Sequence, residues 1–111
     1  MQRHDVYMNK EMLKGTIDLL ILSTLSKGDN YGYEISKKIK DRTNGMFEIQ
    51  EATLYLSLKR LEKHSFIKAY WGAESQGGKR KYYHLTELGI EQLEEMKEDW
   101  TKISEMVNRF L

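Results

Sequence analysis

Apolar residues recur at helical spacing along most of the chain, and the spacing shortens to a strand-like pattern around residues 46–49 and 66–85. Across residues 10–26, Leu13, Ile17, Leu20 and Leu25 share one face, while Leu19, Ile21 and Leu22 cover others. The pattern predicts a helix that is apolar nearly all round and needs neighbours on more than one side. The ten residues before it are polar and are expected to fray. KGDN (27–30) reads as a turn and N-cap, followed by a second helix over 31–42 with Tyr31, Ile35 and Ile39 inward and Lys37, Lys38 and Lys40 outward. TNG (43–45) stops that helix with Gly45 in a left-handed conformation, and Met46–Ile49 reads as a short strand.

A third helix is predicted over 50–64, with Leu54, Leu58 and Leu61 as its buried stripe. At about 100° per residue, Leu56, Lys59, Arg60 and Lys63 fall on the opposite side, flanked by Ala52 and Thr53. Phe66–Trp71 and Lys81–Leu85 read as the two strands of a hairpin whose tip, GAESQGGKR (72–80), has glycine freedom at Gly77 and Gly78. Trp71 is expected to pack on the core. Thr86 is placed to cap a long final helix, 87–110, in which Leu93, Met96, Trp100, Ile103, Val107 and Phe110 are spaced 3, 4, 3, 4 and 3. Three helices, a hairpin and a last helix describe a mainly α fold with a small β wing, the winged helix-turn-helix. Residues 1–85 would form its DNA-binding domain and 86–111 a dimerisation helix lying against the first helix of a partner.

In a helix-turn-helix the second helix of the motif enters the major groove. Thr53, Ser57, Lys59 and Arg60 suit base edges and phosphates, Tyr55 and Lys63 suit the backbone, and Lys38 on the second helix joins the set. The hairpin adds Lys79, Arg80 and Lys81 in QGGKRKYYH (76–84), a stretch that lacks acidic residues. The bland alternative for each is a solvated face, but basic residues at both places where such a fold touches DNA favour binding. The seam Leu93, Met96, Trp100, Ile103, Val107 and Phe110 predicts a symmetric dimer, whose two recognition helices would meet successive major grooves about 34 Å apart on a pseudo-palindromic site. The runner-up is a winged-helix protein–protein interaction module that does not bind DNA.

Composition narrows the alternatives. With 111 residues, 40% of them hydrophobic and 32% charged, the chain is of one-domain size and globular. It has no Cys, which excludes disulfides and thiolate metal sites and is compatible with a reducing cytoplasm. Its N-terminal stretch is not signal-like, and its longest apolar run is too short to span a membrane. His4, His64 and His84 are scattered, and no nucleophile elbow, P-loop or dinucleotide fingerprint occurs, so neither a metal, a cofactor nor an enzymatic activity is expected. The formal net charge of +1 looks unpromising for a DNA binder until it is divided. Residues 1–85 carry 15 basic and 10 acidic side chains, a net +5, and residues 86–111 carry 3 and 7, a net −4.

The stretches LKGTIDLLILSTLSKGDNYGYEISKKIK (13–40), ATLYLSLKRLEKHSFIKAYWG (52–72) and GGKRKYYHLTELG (77–89) together resemble the PadR family of transcriptional regulators. The single last helix resembles that of the short subfamily, and KGDNY, EATLY and ESQGG resemble its multidrug-responsive members. The resemblance implies a homodimeric repressor of its own and neighbouring detoxification or transporter genes, released from DNA by an effector. By position it also implies DNA contacts at Tyr55, Lys59, Arg60 and Lys79–Lys81. For a planar aromatic effector it implies stacking on Trp100, in a pore at the dimer axis lined by Met12, Leu19, Leu22 and Met96. Two positions depart from the family pattern. Leu56 stands where Pro usually follows the Leu-Tyr pair, and would offer an apolar contact to a thymine methyl. Met96 is bulky for a pore lining and would partly fill it.

Overall fold

Seven elements follow one another in the computed structural model, which describes residues 13, 15–73 and 78–111. They are α1 (Thr16–Leu25), β1 (Asn30–Tyr31), α2 (Gly32–Arg42), α3 (Glu51–Lys63), β2 (Ile67–Trp71), β3 (Lys81–Leu85) and α4 (Glu87–Phe110). The expected fraying of residues 1–10, the Met12 expectation and residues 74–77 of the wing tip lie outside the described residues.

The first helix does not run unbroken from residue 10. Gly15 has φ 86°, a left-handed value that an L side chain rarely adopts, and α1 starts after it. Ile21, Leu22 and Leu25 are buried, while Ile17, Leu19 and Leu20 are partly covered. Much of this all-round apolar surface is covered within the chain, since α1 packs against α2, α3, α4 and β3. Leu22 is fully buried in its own core, so it cannot line a pore at a dimer axis.

Strand β1 went unread in the sequence, because two residues carry no alternation. It pairs antiparallel with β3, Asn30 opposite Tyr83 and Tyr31 opposite Tyr82, making a three-stranded sheet in the order β1-β3-β2. The predicted N-cap role of 27–30 is replaced by this pairing, and Tyr31 is the residue that precedes α2. Helix α2 ends as expected, with Gly45 at φ 78°. Met46–Ile49 is not a strand: Phe47 and Ile49 point into the core as irregular chain without a strand partner. Thr43 holds this segment, because its Oγ1 accepts from the Phe47 N–H at 3.1 Å and donates to the Ile39 carbonyl at 3.0 Å.

The hairpin register places Ile67 opposite Leu85, Ala69 opposite Tyr83 and Trp71 opposite Lys81. Ile67, Tyr83 and Leu85 join Leu54, Leu58 and Leu61 of α3 in the core. Thr86 caps α4 as predicted: its Oγ1 accepts from the Gly89 N–H at 3.0 Å. The same oxygen lies 2.7 Å from the Ser65 carbonyl, to which its hydroxyl donates, so one residue fastens the start of α4 to the turn after α3. Leu93 is buried in the core of its own chain and Met96 is half-buried against it. Leu93 is therefore a core residue and not part of a dimer seam. Beyond Met96, α4 leaves the domain, and Trp100, Ile103, Val107 and Phe110 stand exposed. The arrangement is the winged helix expected from the sequence.

Candidate nucleic-acid interface

Helix α3 buries Leu54, Leu58 and Leu61, and this rotation decides what its other residues can reach. Ala52, Leu56, Lys59 and Lys63 lie on the outer face, with Thr53 exposed beside them and Leu56 65% exposed at its centre. Among the described residues neither Lys59 nor Lys63 is in an ion pair. Tyr55 is on the flank, its hydroxyl packed where a side chain at Gly32 would stand, 2.6 Å from that Cβ position. The absence of a side chain at Gly32 thus lets α2 and α3 approach.

One expected contact, Ser57, is corrected, and a second, Arg60, is held in an ion pair. Ser57 is only 3% exposed, because it falls on the same face as Leu54 and Leu61, three and four residues away, so it cannot meet a base edge. Its Oγ accepts from the Arg60 guanidinium at 3.2 Å. Arg60 does not project outward with the lysines: Nη2 donates to Asp18 Oδ1 at 2.7 Å and Nε to Oδ2 at 3.3 Å. Asp18 carried no signal in the sequence beyond being an acid in the first turn of a helix.

On α2, Lys37 is paired with Asp41 and Lys40 with Glu48, whereas Lys38 is exposed and among the described residues has no acidic partner. On the wing, Lys79 and Lys81 are exposed, and the Arg80 guanidinium lies over the Tyr31 ring at 4.6 Å. The Lys81 ammonium is 5.9 Å from the Tyr83 ring. Burial, with Glu62 and Tyr55 nearby, pushes the Tyr83 phenol up. Through Tyr83, then, the base of the wing is continuous with α3. Trp71 does not pack on the core and is 66% exposed. It shares a face with Ile67 and Ala69, but its pair with Lys81 is the outermost of the hairpin, past the last core residue on that side. The sequence shows a strand here but not where the strand outruns the core.

The other face of the sheet carries a row of tyrosines, one per strand. Tyr31 meets Tyr82 edge-on at 5.5 Å, and Tyr70 stacks on Tyr82 at 5.8 Å. Asp29 anchors the row: the Tyr70 hydroxyl donates to its Oδ2 at 2.6 Å, and His84 Nδ1 lies 2.8 Å from its Oδ1. The Tyr70 hydrogen bond, helped by His84 and opposed by partial desolvation, holds the Asp29 carboxyl below its usual range. The same bond pushes the Tyr70 phenol up. The wing is thereby braced against the turn after α1.

Of the residues expected around an effector, Leu19 is partly buried, Leu22 is in the core, Met96 is half-buried and Trp100 is 55% exposed. A cavity of about 320 Å³ opens between α1, α3 and α4, lined by Asp18, Arg60, His64, Phe66, Gln92 and Met96 among others. Among the described residues, no group of three His, Cys, Asp or Glu side chains could hold a metal ion, and no helix is long and apolar enough to cross a membrane.

Known proteins share this architecture. A transcriptional regulator from Clostridium thermocellum superposes with a TM-score of 0.86 at 40% identity, over 92% of this chain and 99% of that one. A PadR family transcription regulator from Clostridium difficile R20291 gives 0.77 at 46% identity, over 86% and 98%. The transcriptional regulator YqjI of Escherichia coli is 37% identical over 84% of this chain, which spans only 43% of that longer protein. The model of the Transcriptional regulator PadR-like family matches residues 21–95. With two-thirds of its length inside that match, the chain belongs to the PadR-like family of transcriptional regulators, which are not enzymes.

Proposed function

We propose that the chain is a homodimeric, sequence-specific DNA-binding repressor of its own and neighbouring genes, working in the cytoplasm. The observation that carries this reading is the outer face of α3, where Thr53, Leu56, Lys59 and Lys63 stand exposed and the two lysines have no acidic partner among the described residues. Cations that are not neutralised on a helix built to enter a groove are what phosphate binding requires. Tyr55 flanks that face, and Lys38, Lys79, Arg80 and Lys81 extend it. Trp71, projecting beside Lys81, adds a ring able to lie against a sugar or a base edge. Residues 1–85 serve as the DNA-binding unit and 86–111 as the dimerisation helix, through Trp100, Ile103, Val107 and Phe110.

The test is a gel shift on the gene's own upstream region across salt concentrations, with a reporter for direction. Binding that weakens steeply with salt, and reporter output that rises when the gene is deleted, support a repressor. A chain that is monomeric by light scattering and pairs only with another protein favours the interaction-module reading, for which the exposed α4 stripe is the argument.

The effector we propose is a flat aromatic molecule stacking on Trp100. Its binding should quench Trp fluorescence in the wild type and not after Trp100→Ala. Quenching that survives that substitution would assign it to Trp71, which is also exposed.

A further inference from the structure

Adjacent residues of α3, Lys59 and Arg60, have different surroundings. Lys59 faces solvent, whereas Arg60 bends back across 42 residues of sequence to Asp18 on α1. The side-on fork of Nη2 and Nε takes both carboxylate oxygens, and Nη2 also reaches Ser57 Oγ. Asp18 is 16% exposed in its side chain and Arg60 48%, so the pair is half-withdrawn from water. Asp18 sits in the first turn of α1, where the helix dipole favours an acid. Beside the pair the structure has the 320 Å³ cavity rather than packed side chains. The leucine stripe holds α3 on one side, and on this side the ion pair supplies the tie.

We infer that Arg60 is a positioning residue: with Asp18 and Ser57 it clamps the C-terminal half of α3 to α1, setting the angle at which Lys59 and Lys63 meet DNA. The inference rests on the DNA-binding reading. Arg60 matters to DNA through the orientation of the helix, with its charge already met by Asp18.

The two roles predict opposite signs for one substitution. If Arg60 contacts phosphate, Asp18→Ala frees it, and DNA binding stays equal or tightens. If Arg60 is a clamp, Asp18→Ala releases the helix, and binding weakens. Affinity for the upstream DNA should be measured over a salt series for wild type, Asp18→Ala, Arg60→Ala, Arg60→Lys and the Asp18→Ala/Arg60→Ala double variant, each shown folded by circular dichroism. We expect the single alanine variants to weaken binding by about threefold to tenfold, and the double variant to be no worse than either. The log–log salt slope should be unchanged. Arg60→Lys should resemble Arg60→Ala, because a lysine keeps the charge but cannot span both carboxylate oxygens and Ser57. Unimpaired binding by Asp18→Ala, together with a slope lowered by about one in Arg60→Ala, would overturn the clamp. Should wild type itself show no salt-dependent DNA binding, the underlying reading fails instead. Amide exchange over residues 58–63 then decides the clamp: faster in Asp18→Ala supports it, unchanged refutes it.

Discussion

Asp29 gathers two hydrogen bonds from the sheet, and the direction of its shift fixes when they matter. Its carboxyl titrates below the ordinary aspartate range in the folded chain, chiefly through Tyr70. A depressed folded value means stability that is present above the unfolded value, about 3.9, and lost as pH falls through the folded one. Tyr70 runs the other way: its raised phenol contributes stability that is present below about 10 and lost as pH climbs through its folded value. Asp29→Asn should therefore flatten the acid edge of a urea-unfolding pH series and also weaken the alkaline edge that Tyr70 sets. An unchanged profile at both edges would show that this brace contributes nothing. Gly32 makes a second prediction at this scale. Alanine there would bring a Cβ to within 2.6 Å of the Tyr55 hydroxyl, the far end of a half-exposed side chain that can swing aside, so Gly32→Ala should displace Tyr55 while costing less than about 1 kcal/mol in urea unfolding.

Individual elements differed in how far the sequence exposed them. Helix α4 and its cap were legible because Thr86 precedes a sustained helical period, and the cap bond to Gly89 is present. Thr86→Ala should accordingly cost about 1 kcal/mol, read from the urea midpoint at constant m-value. Strand β3 was legible from its hairpin pattern, whereas β1 is too short to have one. Phe47 and Ile49 alternate like a strand yet are irregular, since alternation reports which side chains go inward and not whether a neighbour offers hydrogen bonds. Ser57 was placed outward by its chemistry, Leu93 by its spacing and Leu22 by resemblance, yet all three are buried, because none of these says which part of a helix its own domain covers. On the wing, Trp71→Ala should leave stability within about 0.5 kcal/mol, because an exposed ring has little packing to lose. The same change should lower DNA affinity several-fold. Loss of stability without loss of affinity would return Trp71 to a packing role.

At the scale of the whole molecule the charges are segregated: +5 over residues 1–85 and −4 over residues 86–111. The formal +1 hides a basic body with an acidic tail helix, and the basic body holds every proposed phosphate contact. The tail helix also carries the exposed stripe of Trp100, Ile103, Val107 and Phe110, which a second copy would cover. Val107→Asp should then shift the mass seen by light scattering from twice 13.2 kDa to 13.2 kDa, and DNA affinity should fall because two half-sites are no longer bound together. Part of the Arg60 expectation was invisible for a molecular reason, since its partner Asp18 lies on a helix read only for its apolar face. The central claim is that the outer face of α3 binds DNA phosphates, and the most direct test is the salt slope of binding to the upstream DNA, compared between wild type and Lys59→Ala/Lys63→Ala. The account predicts a steep loss of wild-type affinity between about 50 and 200 mM salt and a slope reduced by about two in the double variant; a wild-type affinity indifferent to salt, or a slope the two lysines do not change, would contradict it.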